Sequence, residues 1–257
     1  MLPKRLLVVV SLLMLLAGCA TTGSGGDGLK SKDSNAENAA RIHTELGQQY
    51  LQRGELKVAL EKLKMALQFD DDYVPAHTVI AVLYARIGEN AKAEQHYRRA
   101  NQLEPKSGAT NNNLGVFLCR EGKVAESLPY FKQALADPFY QTPDAAWSNA
   151  GICERKLPDA VTAEKDFRKA LSLNPHNADA LYNLADMLLA QGKPFPASAF
   201  LQRFDALGRP TPASLALGYR IETRLGNAED AQSYARRLKS KFPDSPQAQN
   251  LATTSSQ

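Results

Sequence analysis

The sequence predicts an all-α solenoid: six helix–turn–helix repeats stacked into a superhelix, each covering its apolar face with its neighbours. Three observations predict it. Turn glycines recur at a fixed interval, with Gly54, Gly88 and Gly122 spaced by 34 residues and Gly192 and Gly226 again by 34. On either side of those glycines, apolar residues recur at helical spacing. In residues 77–105, Ile80, Ala81 and Tyr84 share a face before Gly88, and Ala93, Tyr97 and Ala100 share one after it. Small residues hold matching places as well, Gly47, Ala81, Gly115, Gly151 and Ala185 in the first helices and Ala59, Ala93, Ala163, Ala197 and Ala231 in the second. Small side chains there let paired axes approach. Ser127 fills the second-helix place in the third repeat, and the sixth repeat departs in its first helix with Tyr219.

Taken in order, the repeats begin near residues 40, 74, 108, 144, 178 and 212. Gly122 and Gly192 are 70 residues apart, two more than two periods; the extra pair sits in DPFYQTP at 137–143, and Pro158 stands at the missing turn. Thr142-Pro143 and Thr211-Pro212 each place a capping residue before a proline in the first helical turn, where the missing amide costs nothing. Asn227, three residues before Asp230, reads as a further start, and Pro105, Pro175 and Pro243 close the second, fourth and sixth repeats. Beyond Pro246 the periodicity is lost, so residues 247–257 are read as a tail with at most a short capping helix to Leu251. The order within a repeat, a small residue, Tyr, Gly, Ala, an aromatic, Ala and a closing Pro, resembles the tetratricopeptide pattern. Residues 40–246 count as one folded domain, because a solenoid grows by stacking.

Ahead of the array, residues 1–18 read as a secretory signal: Lys4 and Arg5 form the charged start, residues 6–16 are apolar except for Ser11, and small residues follow. That run is too short to span a bilayer as a helix, which takes about 20 residues. LAGC at 16–19 resembles the bacterial lipobox, which would make Cys19 the acylated first residue of the mature chain. The sorting rule that comes with this resemblance retains lipoproteins with Asp after the cysteine at the inner membrane. Here Ala20 follows, so the expected location is the outer membrane, lipid-anchored on its periplasmic face. Several acyl chains hold firmly, since each buried methylene contributes about 0.8 kcal/mol. The rest of 19–39 is expected to be a flexible tether running into the first helix; its Gly-, Ser- and Thr-rich part, 20–35, would reach roughly 20–25 Å. GSGGDGLKS at 23–31 has one residue too many for a phosphate loop and no strand before it.

The net charge is +4, and loss of Lys4 and Arg5 leaves 29 basic against 27 acidic side chains, no electrostatic case for nucleic acid. No catalytic or metal constellation stands out. His43, His77, His96 and His176 show neither HExxH spacing nor a Cys or Asp partner at ligand distance, and no GxSxG elbow occurs. His43 and His77 hold the fourth repeat position, as Trp147 does, and read as packing residues; His96 and His176 read as solvated. No cofactor and no small-molecule substrate are implied.

Cys119 is position 12 of its repeat and Cys153 position 10 of the next, offset by the insertion. At about 100° per residue they point about 200° apart, so on neighbouring, similarly directed helices they can face each other. Axes about 8–10 Å apart then allow the roughly 5–6 Å Cα separation that a disulfide wants. A cross-link is expected, against the alternative of two buried free thiols.

A stacked array curves, and its first helices line a concave face wide enough for a peptide or helix. Position 9 puts an aliphatic stripe, Val82, Val116 and Ile152, in the middle three repeats, and position 6 carries Asn113, Asn149 and Asn183 in succession. Asparagine both donates and accepts, so a ladder of them can bond an extended backbone without reading its sequence. Equally, the asparagines can bond neighbouring helices and the aliphatic residues fill the seam between repeats.

NNLGVFLC at 112–119, DPFYQTP at 137–143 and NAGIC at 149–153, with a lipobox and six repeats, resemble the type IV pilus biogenesis and stability lipoprotein family, the pilotins of the pilus secretin. The resemblance implies a non-catalytic outer-membrane adaptor that binds the secretin subunit and promotes its localisation or multimerisation. The alternative is another outer-membrane repeat lipoprotein, scaffolding cell-wall hydrolases or the outer-membrane protein assembly machine.

Overall fold

A computed structural model describes residues 27–157 and 161–254 of the chain. The expected signal segment, Cys19, residues 20–26 and Pro158 lie outside the described residues. Thirteen α-helices, and no strands, occur among those described: α1 Asp27–Gln52, α2 Leu56–Phe69, α3 Val74–Arg86, α4 Asn90–Leu103, α5 Gly108–Arg120, α6 Val124–Ala136, α7 Pro143–Glu154, α8 Val161–Leu173, α9 Ala178–Ala190, α10 Pro194–Asp205, α11 Pro212–Leu225, α12 Ala228–Lys241 and α13 Pro246–Thr254. The first twelve pair in order, α1 with α2 through α11 with α12, as a tetratricopeptide superhelix.

Glycine chemistry explains the hairpins. Gly54, Gly88, Gly122, Gly192 and Gly226 all hold φ between +72° and +81°, the left-handed region that a Cβ disfavours, one or two residues past each first helix. The small residues of the first helices sit where the partner's ring or branched side chain presses closest. A Cβ on Gly115 would lie 2.9 Å from the Phe131 ring, one on Gly151 2.8 Å from Phe167, and one on Gly47 2.5 Å from Leu63. In the sixth repeat this place belongs to Gly218, whose Cβ would stand 2.4 Å from Tyr234, and not to Tyr219. α11 carries one more residue between its close-approach point and its turn glycine, so a strict 34-residue count lands one position late.

Two expectations at the termini are corrected. α1 begins at Asp27, so residues 27–39 are helical and not extended tether. Residues 29–39 contain no Gly or Pro, and a helix nucleated in the first repeat extends backwards at small cost per residue. At the other end α13 runs to Thr254 and packs on α11 and α12, covering the last repeat. All three helix starts stand where expected, with Thr142, Thr211 and Asn227 as the residues before α7, α11 and α12; Thr211 forms a reciprocal box with Ser214, whereas Thr142 makes no side-chain cap and the Asn227 side-chain amide donates to Glu222 at 2.7 Å.

First helices of successive repeats touch directly, α1 with α3, α5 with α7, α7 with α9 and α9 with α11, while each second helix meets the first helix of the following repeat. The first helices therefore form the tighter, inner layer of the curve. The core divides along the stack. One cluster spans the fourth to sixth repeats, around Phe167, Leu181, Leu184, Leu188, Leu201 and Leu215. The joint between third and fourth repeats holds a cluster of four buried residues only, Cys119, Phe131, Ala150 and Cys153.

Candidate partner-binding face

Every predicted groove residue lies on an inner-layer helix, but the structure treats them differently. Val82, on α3, is 43 % exposed. Val116 and Ile152 are half-buried and pack against the clusters of the third-to-fourth joint and of the C-terminal repeats. Two of the three asparagines are engaged. Asn149 donates to Asn112 Oδ1 of the preceding repeat at 3.0 Å. Asn183 donates to the Asp179 carbonyl at 2.8 Å and accepts from Arg155 at 2.7 Å. Asn113 alone, half-buried on α5, makes no side-chain hydrogen bond. The evenly spaced ladder is therefore replaced by an uncommitted stretch on α3 and α5 and a bonded one from α7 onwards.

That second stretch is a charged lattice. Arg155 donates to Asp186 Oδ2 at 2.7 Å, and Arg220 donates to the other oxygen, Oδ1, at 3.0 Å, so one carboxylate ties three successive repeats. These groups hold position 12 of the fourth repeat and position 9 of the fifth and sixth. Alternating charge at homologous positions was the available signal, and it lies outside the aliphatic stripe. A second regularity stands at position 13, where Arg86 donates to the Leu51 carbonyl and Lys156 to the Cys119 carbonyl, at 2.8 and 2.7 Å. Each cation thus meets the last exposed carbonyls of the preceding first helix, where the helix dipole favours positive charge.

Cys119 and Cys153 come together across α5 and α7, with Cα atoms 5.8 Å apart and sulfurs 2.27 Å apart. Both are buried, and the Ser127 hydroxyl lies 3.0 Å from the Cys153 sulfur. The inserted DPFYQTP turn sits beside this joint. Asp137 accepts from the Gly108 amide at 2.7 Å and from the Phe139 amide at 2.9 Å, while Tyr140 covers Gly108 so closely that a Cβ there would meet its ring at 2.4 Å. Phe139 itself is left 83 % exposed.

The histidines pack as expected at position 4: His43 stacks on Phe69, and His77 is buried with one ring nitrogen on the Asp71 carbonyl. His176 is exposed. His96 is a correction. It is half-buried, shares a 2.9 Å hydrogen bond with His77 and stacks on Tyr84, so that burial, reinforced by the facing His77, lowers its pKa to about 4. Among the described residues no group of three or more His, Cys, Asp or Glu is placed to hold a metal ion.

Family models described as tetratricopeptide repeat match residues 78–146, 159–218 and 213–245. The crystal structure of PilW, a widely conserved type IV pilus biogenesis factor, superposes with a TM-score of 0.76 at 32 % identity, over 83 % of this chain and 98 % of that one. This chain belongs to the PilW family of tetratricopeptide-repeat proteins. The family extends to the type IV pilus assembly protein PilF of Pseudomonas aeruginosa, 29 % identical over 96 % of this chain and 97 % of that protein. The PilF structure also superposes with a TM-score of 0.76, at 27 % identity over 86 % of this chain and 99 % of that one. An uncharacterized Haemophilus influenzae protein is 33 % identical over 58 % of this chain and 84 % of its own length. The likeness to the pilus factors covers all of the described repeats nearly end to end, so the family assignment rests on the whole array.

Proposed function

We propose that this protein is a non-catalytic, lipid-anchored adaptor of type IV pilus biogenesis that binds the pilus secretin subunit and promotes its assembly at the outer membrane. The observation that carries the reading is the near-full-length match to PilW and PilF, both named for roles in pilus biogenesis or assembly. Acylation at Cys19 places the array on the periplasmic face, and the Cys119–Cys153 cross-link fits that oxidising compartment.

The partner seats on the inner face of α3 and α5. Polar groups from α7 to α11 are already bonded to one another, so a ligand there would have to break charge-assisted bonds of about 1.5–3 kcal/mol each before making its own. Val82 and Asn113 are uncommitted: one offers apolar surface, the other a free donor and acceptor pair.

The test is deletion of the gene with complementation by the intact chain and by Cys19→Ala. The reading expects loss of heat-resistant secretin multimers on deletion, with secretin monomer still made, and mislocalised or reduced multimers with Cys19→Ala. Normal multimers in the deletion strain would overturn it.

A further inference from the structure

A cleft outside the inner face brings two carboxylates together. It lies between the second helices α6 and α8 with α7 as its floor, lined by Ala125, Leu128, Pro129, Trp147, Glu154 and Asp166. Glu154 and Asp166 occupy positions 11 and 23 of the fourth repeat. In the first three repeats and the fifth, the same two places hold Tyr50 with Lys62, Tyr84 with His96, Leu118 with Tyr130 and Leu188 with Phe200. The fourth repeat alone among these sets two carboxylates there. Asp166 is 8 % exposed and makes no hydrogen bond, and Glu154 accepts one from the Thr162 hydroxyl while its Oε2 is buried without a partner. Burial raises the pKa of both, that of Asp166 to about 7 with the Glu154 carboxylate adding to the rise.

A third acceptor borders them. Pro129 lies inside α6 and has no amide, so the Ala125 carbonyl one turn earlier lacks its usual helical donor. The cleft therefore offers more acceptors than donors beside an indole face and aliphatic walls. Buried acceptors left unmatched cost more than any other arrangement of the same groups, and a ligand rich in donors relieves that cost. Lys132 stands exposed at the rim and Lys165 flanks Asp166 on α8, but neither forms an ion pair with the two acids.

The geometry points to this cleft as a docking site for an arginine side chain of a protein partner, its guanidinium on Glu154 and Asp166 and its stem and plane against Leu128, Pro129 and Trp147. Arginine fits better than lysine or a metal ion. Its planar fork of five donors suits two carboxylates and a carbonyl, and it stacks on indole. The site is separate from the inner face, and its failure leaves the reading of that face untouched.

Trp147 is the chain's single tryptophan, so its emission reads this cleft alone. The full chain in detergent is titrated with arginine amide at pH 8 and at pH 5.5, with potassium chloride at equal ionic strength as the control. A saturable emission change at pH 8 is expected, with weaker binding at pH 5.5 where Asp166 is protonated, and no such change with the salt. The Glu154→Gln/Asp166→Asn double variant, which removes buried charge, should keep its far-UV circular dichroism and lose the response. No saturable change in the wild type, or a response that persists in the double variant, overturns the proposal. So does a response that arises only in Lys132→Ala, which would mean that the protein's own ammonium fills the cleft.

Discussion

Reducing the Cys119–Cys153 link should split the unfolding of the array into two events. The two cysteines close a loop of 34 residues, for which the chain-entropy model gives about 3.8 kcal/mol at 25 °C. That figure matters because of where the link stands. Two of the four residues in the buried cluster at the joint between third and fourth repeats are the cysteines, whereas the cluster beyond it is continuous through the sixth repeat. In a stack whose stability sums over nearest-neighbour interfaces, the link acts at this one joint, and removing it weakens the coupling between the two ends. Losing about 3.8 kcal/mol there should lower the melting of the first three repeats by roughly 15–30 °C, at about 4–8 °C per kcal/mol for a unit of about 100 residues. The assay is differential scanning calorimetry with and without reductant, beside a Cys119→Ala/Cys153→Ala variant that should be indifferent to reductant. Intact mass should rise by about 2 Da on reduction. Coincident melting in both conditions, or two alkylatable thiols in the unreduced protein, would refute the reasoning.

Further outcomes follow from the packing and the charges. Gly151→Ala should destabilise by about 1–2 kcal/mol, although helix propensity alone predicts a gain of about 1, because its Cβ would meet a fully buried Phe167 ring 2.8 Å away; a raised denaturation midpoint would contradict the close approach. Because burial lowers the folded-state pKa of His96 from 6.5 to about 4, its neutral ring contributes in full above pH 6.5, and that contribution is lost as pH falls towards 4. The loss is at most about 3 kcal/mol. His96→Phe, which keeps the stacking on Tyr84, should flatten the pH slope of unfolding free energy in that window. Asp186→Ala should cost about 1–2 kcal/mol, since it releases Arg155 and Arg220 together, and a double-mutant cycle with Arg155→Ala should show strong coupling.

The array was legible because a solenoid repeats its packing problem, and the chain repeats its answer at intervals of 34. Turn glycines and close-approach glycines, such as Gly115 against Phe131, each answer to one local contact and so survive translation into sequence position. What slipped was anything that departs by one residue, as Gly218 shows, or that depends on two repeats at once. The Asn149–Asn112 bond and the Arg155–Asp186–Arg220 chain join helices about one period apart, and no single-repeat pattern announces which groups will find each other. His96 went astray for a related reason. Its ring faces His77 on α3, and no other repeat carries a histidine at the place of His96. The cysteine pair was visible because the insertion itself turned two positions towards each other.

The most direct test of the account is photo-crosslinking in cells, with a benzoylphenylalanine placed at Val82 on the inner face and, as the control, at Phe195, which is 79 % exposed on the second helix α10. The account predicts a covalent adduct containing the secretin subunit from position 82 and none from position 195. Secretin captured only from the outer position, or from neither, would contradict it.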